Sequence, residues 1–166
     1  MIASSPMQNN SKLMKIALFP GSFDPITIAH VNILQRATPL FDKIVIGIGL
    51  NSSKQNFLTA EQRLQILETV FNGYENIEIK TYEGLTVDFC RKINATYMVR
   101  GIRSASDFEY ERAIAQINQT MMPEVETILL LSKPEYSAIS STIVRDILRN
   151  HGDVSPFVPN EALSFL

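Results

Sequence analysis

Four separated segments carry the side chains that bind anions. Residues 21–30, GSFDPITIAH, set a glycine, a hydroxyl and a proline-fixed turn ahead of one of only two histidines. Residues 51–54, NSSK, end on Lys54 in a polar stretch. Residues 100–111, RGIRSASDFEYE, put Arg100 and Arg103 on either side of Gly101 and Ile102. Residues 139–145, ISSTIVR, crowd Ser140, Ser141 and Thr142 at a helix mouth. Guanidinium groups grip phosphate oxygens in pairs. The first turn of a helix adds free N–H groups and the positive end of the dipole. If Thr27 caps a helix, His30 lies in that first turn as a further donor. Each segment alone has a plainer explanation. His30 suits a capping or core histidine, Lys54 a solvated one, and the arginines pair with Asp107, Glu109 or Glu111. A single serine suffices for an N-cap. The combination is what specifies phosphate chemistry. Gly21 is read as the residue that lets the backbone turn close to a ligand, and His151 as a loop residue outside the site.

The rest of the composition narrows the class. The chain has 166 residues, suited to one domain able to bury its own core. Its net charge of −2 gives no global attraction to nucleic acid, so any anion must be held by a local cluster. The single cysteine, Cys90, has no partner for a disulfide and reads as a small core residue. No apolar run has the length of a membrane span. Residues 1–13 are polar, lack a signal-peptide core and are read as a disordered lead-in to a domain over 14–166.

Those chemical segments need elements to aim them. Short apolar runs at 15–19, 43–50, 77–81, 95–101 and 126–131 read as strands. Between and after them, 30–37 (starting near Thr27 or Ile28), 59–71, 85–93, 108–122 and 140–150 read as helices. Thr59 and Gln62 form a capping box, and Leu64, Leu67 and Phe71 recur at helical spacing. Gly152 suits a helix stop. Alternating strands and helices imply right-handed crossovers. The expectation is one α/β domain, Rossmann-like and doubly wound, with a mostly parallel five-stranded sheet. Ligands of such sheets bind beyond the carboxyl ends of the strands, where the chemical segments lie. Gly47 and Gly49 do not make a dinucleotide fingerprint, because the third glycine position is Ser52 and both lie within a strand; close packing explains them better. Residues 82–86, YEGLT, are the strand end without phosphate chemistry and could line a slot for an uncharged part of a ligand.

TIAH (27–30) and ISSTIVR (139–145) resemble the T/H-x-G-H and I-S-S-x-x-x-R signatures of the nucleotidyltransferase superfamily. GSFDPIT, NSSK, RGIRSASDFEYE and YSAISST together resemble the bacterial phosphopantetheine adenylyltransferase family, in order and from about residue 15 to about 159. The resemblance implies transfer of the adenylyl group of ATP to 4′-phosphopantetheine, giving dephospho-coenzyme A and pyrophosphate, with Mg²⁺. It implies a cytoplasmic homohexamer, with coenzyme A as a feedback inhibitor and no nucleic-acid or membrane partner. It assigns His30, Lys54 and Arg103 to catalysis. ATP would meet Ser22, Phe23, His30, Gly101, Ile102, Arg103, Glu111 and the run Tyr136, Ser137, Ala138, Ile139, Ser140, Ser141, Thr142. The acceptor would meet Ser22, Lys54, Leu85, Thr86 and Arg100. No protein ligand to a metal is implied. One departure stands out: Ala29 replaces the motif glycine, and its methyl would crowd a nucleotide. Sister enzymes with other acceptors, and a nucleotide sensor without catalysis, are the rival readings.

Overall fold

The computed structural model describes residues 13–50 and 55–166. The lead-in expectation therefore lies outside the described residues except at Leu13, and Lys54 lies outside them altogether. Five parallel strands, β1 (Ile16–Gly21), β2 (Lys43–Gly49), β3 (Ile77–Tyr82), β4 (Tyr97–Ile102) and β5 (Glu126–Leu131), form one sheet in the order β3-β2-β1-β4-β5. The helices are α1 (Ile28–Ala37), α2 (Ala60–Val70), α3 (Thr86–Ile93), α4 (Ala105–Met121) and α5 (Ser141–Arg149). Short 3₁₀ turns at Thr38–Leu40, Pro134–Tyr136 and Asn160–Phe165 were not legible from periodicity. Helix α4 begins at Ala105, three residues earlier than the expectation, because Ser104 caps it by accepting from the Asp107 N–H.

Both faces of the sheet are buried, and the two-residue period of a strand divides them. Ala17, Phe19, Ile44, Ile46, Ile48 and Val99 point into one core, where Ile33 and Leu34 of α1, Ile66 and Leu67 of α2 and Val144 of α5 meet them. Leu18, Val45 and Met98 point the other way, toward Val87, Phe89 and Cys90 of α3. Cys90 is a core residue as expected, and burial pushes its thiol up to about 11, so it is inert. Gly47 is a packing glycine: a Cβ there would fall 2.8 Å from Leu18 and 3.1 Å from Tyr82.

Two local expectations change. On α2 the buried face is Arg63, Ile66 and Leu67, with Leu64 only at its margin, so an arginine occupies a place the apolar pattern assigned elsewhere. At the end of α5, the left-handed residue is His151, with φ 57°, not Gly152. His151 N–H donates to Leu148 O at 3.0 Å and Gly152 N–H to Ile147 O at 2.9 Å, a Schellman stop. Glycine follows because a Cβ at 152 would lie 2.6 Å from the Ile147 side chain.

Strand pairing creates the site. β1 pairs with β2 over six positions, from Ile16–Lys43 to Gly21–Ile48. It pairs with β4 only at Ala17–Tyr97 and Leu18–Met98. Beyond Leu18 the two central strands part, although each continues bonded to its outer neighbour. The strand order reverses at this same place, and the gap opens at the carboxyl ends.

Candidate active site

The parted strands hold two clefts that share a wall. The larger, of about 360 Å³, is bounded by Gly21, Ser22, His30, Arg103 and the mouth of α5. The second, of about 260 Å³, is bounded by Tyr82, Leu85, Thr86, Met98 and Ile114. Pro20, Gly21, Arg100 and Glu111 line both. The 82–86 segment thus lines a largely apolar slot, as its residue types suggested.

His30 is fixed by an unusual cap. It sits at the third position of α1, where a Glu or Gln completes an ordinary capping box. Its Nδ1 accepts the Thr27 backbone N–H at 3.1 Å and lies 2.8 Å from Thr27 Oγ1. A backbone N–H can only donate, so Nδ1 carries no proton and the neutral ring holds its hydrogen on Nε2. Phe19 and Phe23 brace the ring edge-on, at centroid distances of 6.5 and 5.5 Å. Burial, then the charges of Arg100 and Arg103, lower its pKa from 6.5 to about 4. The imidazole is therefore neutral, lines the larger cleft and carries its hydrogen on Nε2. Ala29, 9% exposed, presents its methyl on the same wall.

The loop after β1 is held from three sides. Arg63 Nη1 donates to Ser22 O at 2.8 Å, Arg145 Nη1 to Asp24 O at 2.7 Å, and Ser141 Oγ to Pro25 O at 2.8 Å. The buried Asp24 carboxylate accepts the N–H groups of Phe57 and Leu58, both at 2.8 Å. The left-handed residue of this turn is Phe23, φ 48°, not Gly21. Gly21 is required for another reason: a Cβ on it would fall 2.9 Å from the Phe23 ring. That ring is buried against Phe19 and His30 and does not face the cleft.

The two arginines after β4 have different duties. Arg100 forks onto Glu111 through Nε at 2.9 Å and Nη2 at 2.6 Å, and its Nη1 donates to Pro20 O at 2.5 Å across the strand gap. Arg103 donates through Nε to Asp107 at 3.1 Å and through Nη1 to Ile139 O at 3.3 Å. Burial raises the Asp107 pKa, but the bonds and charge of Arg103 outweigh it and leave the carboxyl below its ordinary value. Glu109 pairs with Arg112 instead. Arginine-carboxylate pairing and phosphate binding are compatible, since a guanidinium carries five N–H groups and these bonds use only some of them, while both arginines line the cleft.

At α5 each of the three hydroxyls makes a structural bond, but only one spends its proton. Ser140 Oγ caps the Ile143 N–H at 3.2 Å and Thr142 Oγ1 accepts from Arg145 Nη2 at 3.1 Å, so both keep an O–H to donate, while Ser141 donates to Pro25 O. Beside those two O–H groups an anion finds the backbone N–H groups of Ser141 and Thr142, which lie in the first turn without intrahelical acceptors. Ile139 lines the cleft with them, while Tyr136, Ser137 and Ala138 form the turn beyond its lining, as Ile102 does on β4. His151 is at the far end of α5, outside the site. Sequence reasoning missed Arg63; the only signal was an arginine one position from an apolar stripe. Arg145, whose charge one turn into α5 suits either a ligand or solvent by sequence, is a tie between α5 and the first loop.

The chain is similar to known proteins. Residues 18–147 match the model of the cytidylyltransferase-like family. A phosphopantetheine adenylyltransferase from Lachnoclostridium phytofermentans is 42% identical over 153 residues, 92% of this chain and 94% of the relative. One from Leptospira biflexa is 44% identical over 148 residues, 89% and 92%. One from Flavobacterium psychrophilum is 45% identical over 146 residues, 88% and 96%. Among solved structures, one described as a nicotinate-nucleotide adenylyltransferase from Vibrio parahaemolyticus superposes with a TM-score of 0.72 at 18% identity, covering 93% of this chain and 92% of that one. That likeness concerns the fold.

Proposed function

The chain belongs to the cytidylyltransferase-like family and, within it, to the phosphopantetheine adenylyltransferases, and from that premise we propose how its two clefts carry out adenylyl transfer. ATP occupies the larger cleft, with its phosphates among His30, Arg103 and the first-turn N–H groups of α5. The pantetheine arm of 4′-phosphopantetheine lies in the slot walled by Tyr82, Leu85 and Thr86. Its phosphate reaches the shared wall at Arg100. The observation that supports this reading is the sharing itself: a polar cleft and a largely apolar one meet at Pro20, Gly21, Arg100 and Glu111, as a reaction between two phosphates held side by side requires.

The acceptor phosphate oxygen attacks the α-phosphorus of ATP in line. A new P–O bond forms, the α–β bridging bond breaks, and pyrophosphate leaves with its electron pair. The nucleophile is already an anion, so the chain provides no general base. Its work is to bring two anions together and to place positive charge where negative charge builds. Arg100 is kept rigid for this by Glu111, which is only 7% exposed. His30 donates from Nε2 to the leaving phosphates, and their charge raises its pKa once bound. Lys54, which lies outside the described residues, is assigned the bridging of donor and acceptor.

Mg²⁺ fits this site as a passenger of the nucleotide. The carboxylates lining the cleft, Asp107 and Glu111, are engaged by Arg103 and Arg100, and among the described residues no group of three His, Cys, Asp or Glu could cage a metal. Phosphates and water hold it, and it neutralises phosphate charge when bound. No helix among the described residues is long and apolar enough to cross a membrane. The proposal extends to a cytoplasmic homohexamer inhibited by coenzyme A, which light scattering and inhibition kinetics test.

The decisive assay measures pyrophosphate released from ATP with 4′-phosphopantetheine, with nicotinamide mononucleotide, and from CTP with a polyol phosphate. Release with 4′-phosphopantetheine alone is expected. Release only with another acceptor makes the chain a sister enzyme, and tight ATP binding without release from any acceptor makes it a sensor.

A further inference from the structure

Strand β3 ends the sheet, and its outer edge is open among the described residues. Ile44 N–H donates to Asn76 O at 2.9 Å, and Leu50 N–H to Tyr82 O at 2.8 Å. Along a strand, successive residues turn their N–H and C=O groups to opposite sides. Asn76, Glu78, Lys80 and Tyr82 therefore bond toward β2, in keeping with the parallel register that runs from Ile44–Ile77 to Gly49–Tyr82. Ile77, Ile79 and Thr81 turn theirs to the open side. The Ile77 N–H is taken by Tyr74 O at 3.2 Å, whereas those of Ile79 and Thr81 have no acceptor among the described residues.

This edge runs along a groove of about 450 Å³ between α2 and α3, whose apolar lining is Leu64, Ile79, Phe89 and Ile93. Ile77 and Ile79 pack on the core that α2 covers, so Glu78 and Lys80 project from the opposite face of the strand. Lys80 Nζ lies 2.9 Å from Glu78 Oε1, and Lys43 meets the other carboxylate oxygen. A lone lysine on an edge strand guards against pairing, but here a carboxylate on the same face offsets it. Neither Glu78, Ile79, Lys80 nor Thr81 lines the two clefts of the candidate site. Free donors beside free carbonyls, on an edge with apolar margins, fit a further strand.

The sequence of β3 is complementary to itself. In an antiparallel pair, residues that exchange bonds face each other, and the residues between them form close, non-bonded pairs. With a two-fold axis at Ile79, each Ile79 exchanges both bonds with the partner's Ile79, and each Thr81 N–H reaches the partner's Ile77 carbonyl. Both free donors of the edge are then used. Glu78 falls opposite the partner's Lys80, twice by symmetry. An axis one residue away sets Glu78 against the partner's Glu78, or Lys80 against the partner's Lys80, and like charges directly opposite each other destabilise a strand pair.

We propose that the β3 edge is a two-fold interface between two copies of this chain, joining their sheets with Glu78 opposite the partner's Lys80. The exposed charges choose register and partner; the backbone bonds and the covered groove supply the strength. The inference is independent of adenylyl transfer and needs only an even-numbered assembly, of which the homohexamer is one case. Its test is native mass spectrometry of the full chain, of Glu78→Lys, of Lys80→Glu, and of the two variants mixed in equal amounts. Each variant alone sets like charges at both symmetric contacts. That should raise the dissociation constant of this contact roughly tenfold to 100-fold and yield particles of half the parent mass. In the mixture opposite charges meet again at both contacts, and the parent mass should return in complexes holding one of each. Ion pairs within each chain are the same alone or mixed, so the recovery reports contact between copies. A monomeric parent, variants that keep the parent mass, or a mixture that stays at half mass overturns the proposal. A second measurement needs no variant: amide hydrogens of Ile79 and Thr81 should exchange roughly tenfold more slowly in the assembled parent than in parent diluted until it dissociates. Equal exchange overturns the proposal even where a variant fails to fold. A dimeric parent that passes these tests keeps the interface and ends the hexamer reading, while a hexamer unmoved by either variant does the reverse.

Discussion

The mouths of α1 and α5 face the same cleft and meet it in opposite ways. α1 brings one side chain, His30, whose Nδ1 is consumed by the Thr27 cap while its other nitrogen stays available. α5 brings three hydroxyls, each in a structural bond: Ser140 caps, Ser141 latches the loop after β1 with its proton, and Thr142 receives Arg145. Ser140 and Thr142 accept in those bonds and keep an O–H to donate, beside the first-turn N–H groups of the helix. Polar side chains are therefore counted by the protons they have left, not by their number.

The sharpest break between the two mouths should come from His30→Ala. Removing the neutral donor should cost about 3 kcal/mol of transition-state stabilisation, seen as a fall in kcat of about two orders of magnitude with little change in the ATP Kd. Equal losses in rate and affinity would reduce the ring to a binding contact and erase the contrast. At α5, Ser140→Ala and Ser141→Ala should each cost about 1 kcal/mol of stability, read by urea unfolding, with turnover reduced only a few-fold. A loss as large as that of His30→Ala would place a hydroxyl on the reacting phosphates. Ala29→Gly sharpens the comparison from the α1 side. Taking the methyl off the cleft wall should tighten ATP binding about twofold to fivefold by calorimetry, with a cost of up to about 1 kcal/mol in helix stability.

The smallest effect is a pH dependence that only α1 confers. The His30 pKa is about 4 in the fold against 6.5 for an unperturbed ring. Between those values the unfolded chain binds a proton that the ligand-free fold does not, so stability falls as pH drops from about 6.5 toward 4. Above 6.5 the ring is neutral in both states and contributes no slope. Unfolding midpoints at pH 7 and pH 5 should differ less in His30→Ala than in the parent, and identical differences would mean that the ring is not held neutral.

Much of this contrast was legible beforehand, for local reasons. Thr27 three residues before His30, and Ser140 three before Ile143, announce helix starts because capping reads from short spacings. The central strands β1 and β2 announced themselves because burial on both faces leaves an almost unbroken apolar run, whereas the outer β3, with Glu78 and Lys80, alternates. Gly47 was correctly read as a packing residue. The end of α5 was misread by one position, since His151 adopts the left-handed conformation that glycine usually supplies and Gly152 answers to a neighbour, Ile147. Gly21 was misread for the same kind of reason: its missing side chain makes room for the Phe23 ring rather than for a turn.

The sequence by itself determined the elements, the anion chemistry at their ends and the family, because each depends on residues close together in the chain or on motifs in fixed order. Only the tertiary structure decided how the polar groups are spent. Arg63, Arg100, Ser141 and Arg145 each find a partner from 11 to 121 residues away. The separation of β1 from β4 beyond Leu18, which opens the cleft, is likewise a matter of pairing between distant strands. Periodicity reports which face of an element is buried; it carries no information about which distant carbonyl a buried guanidinium will find.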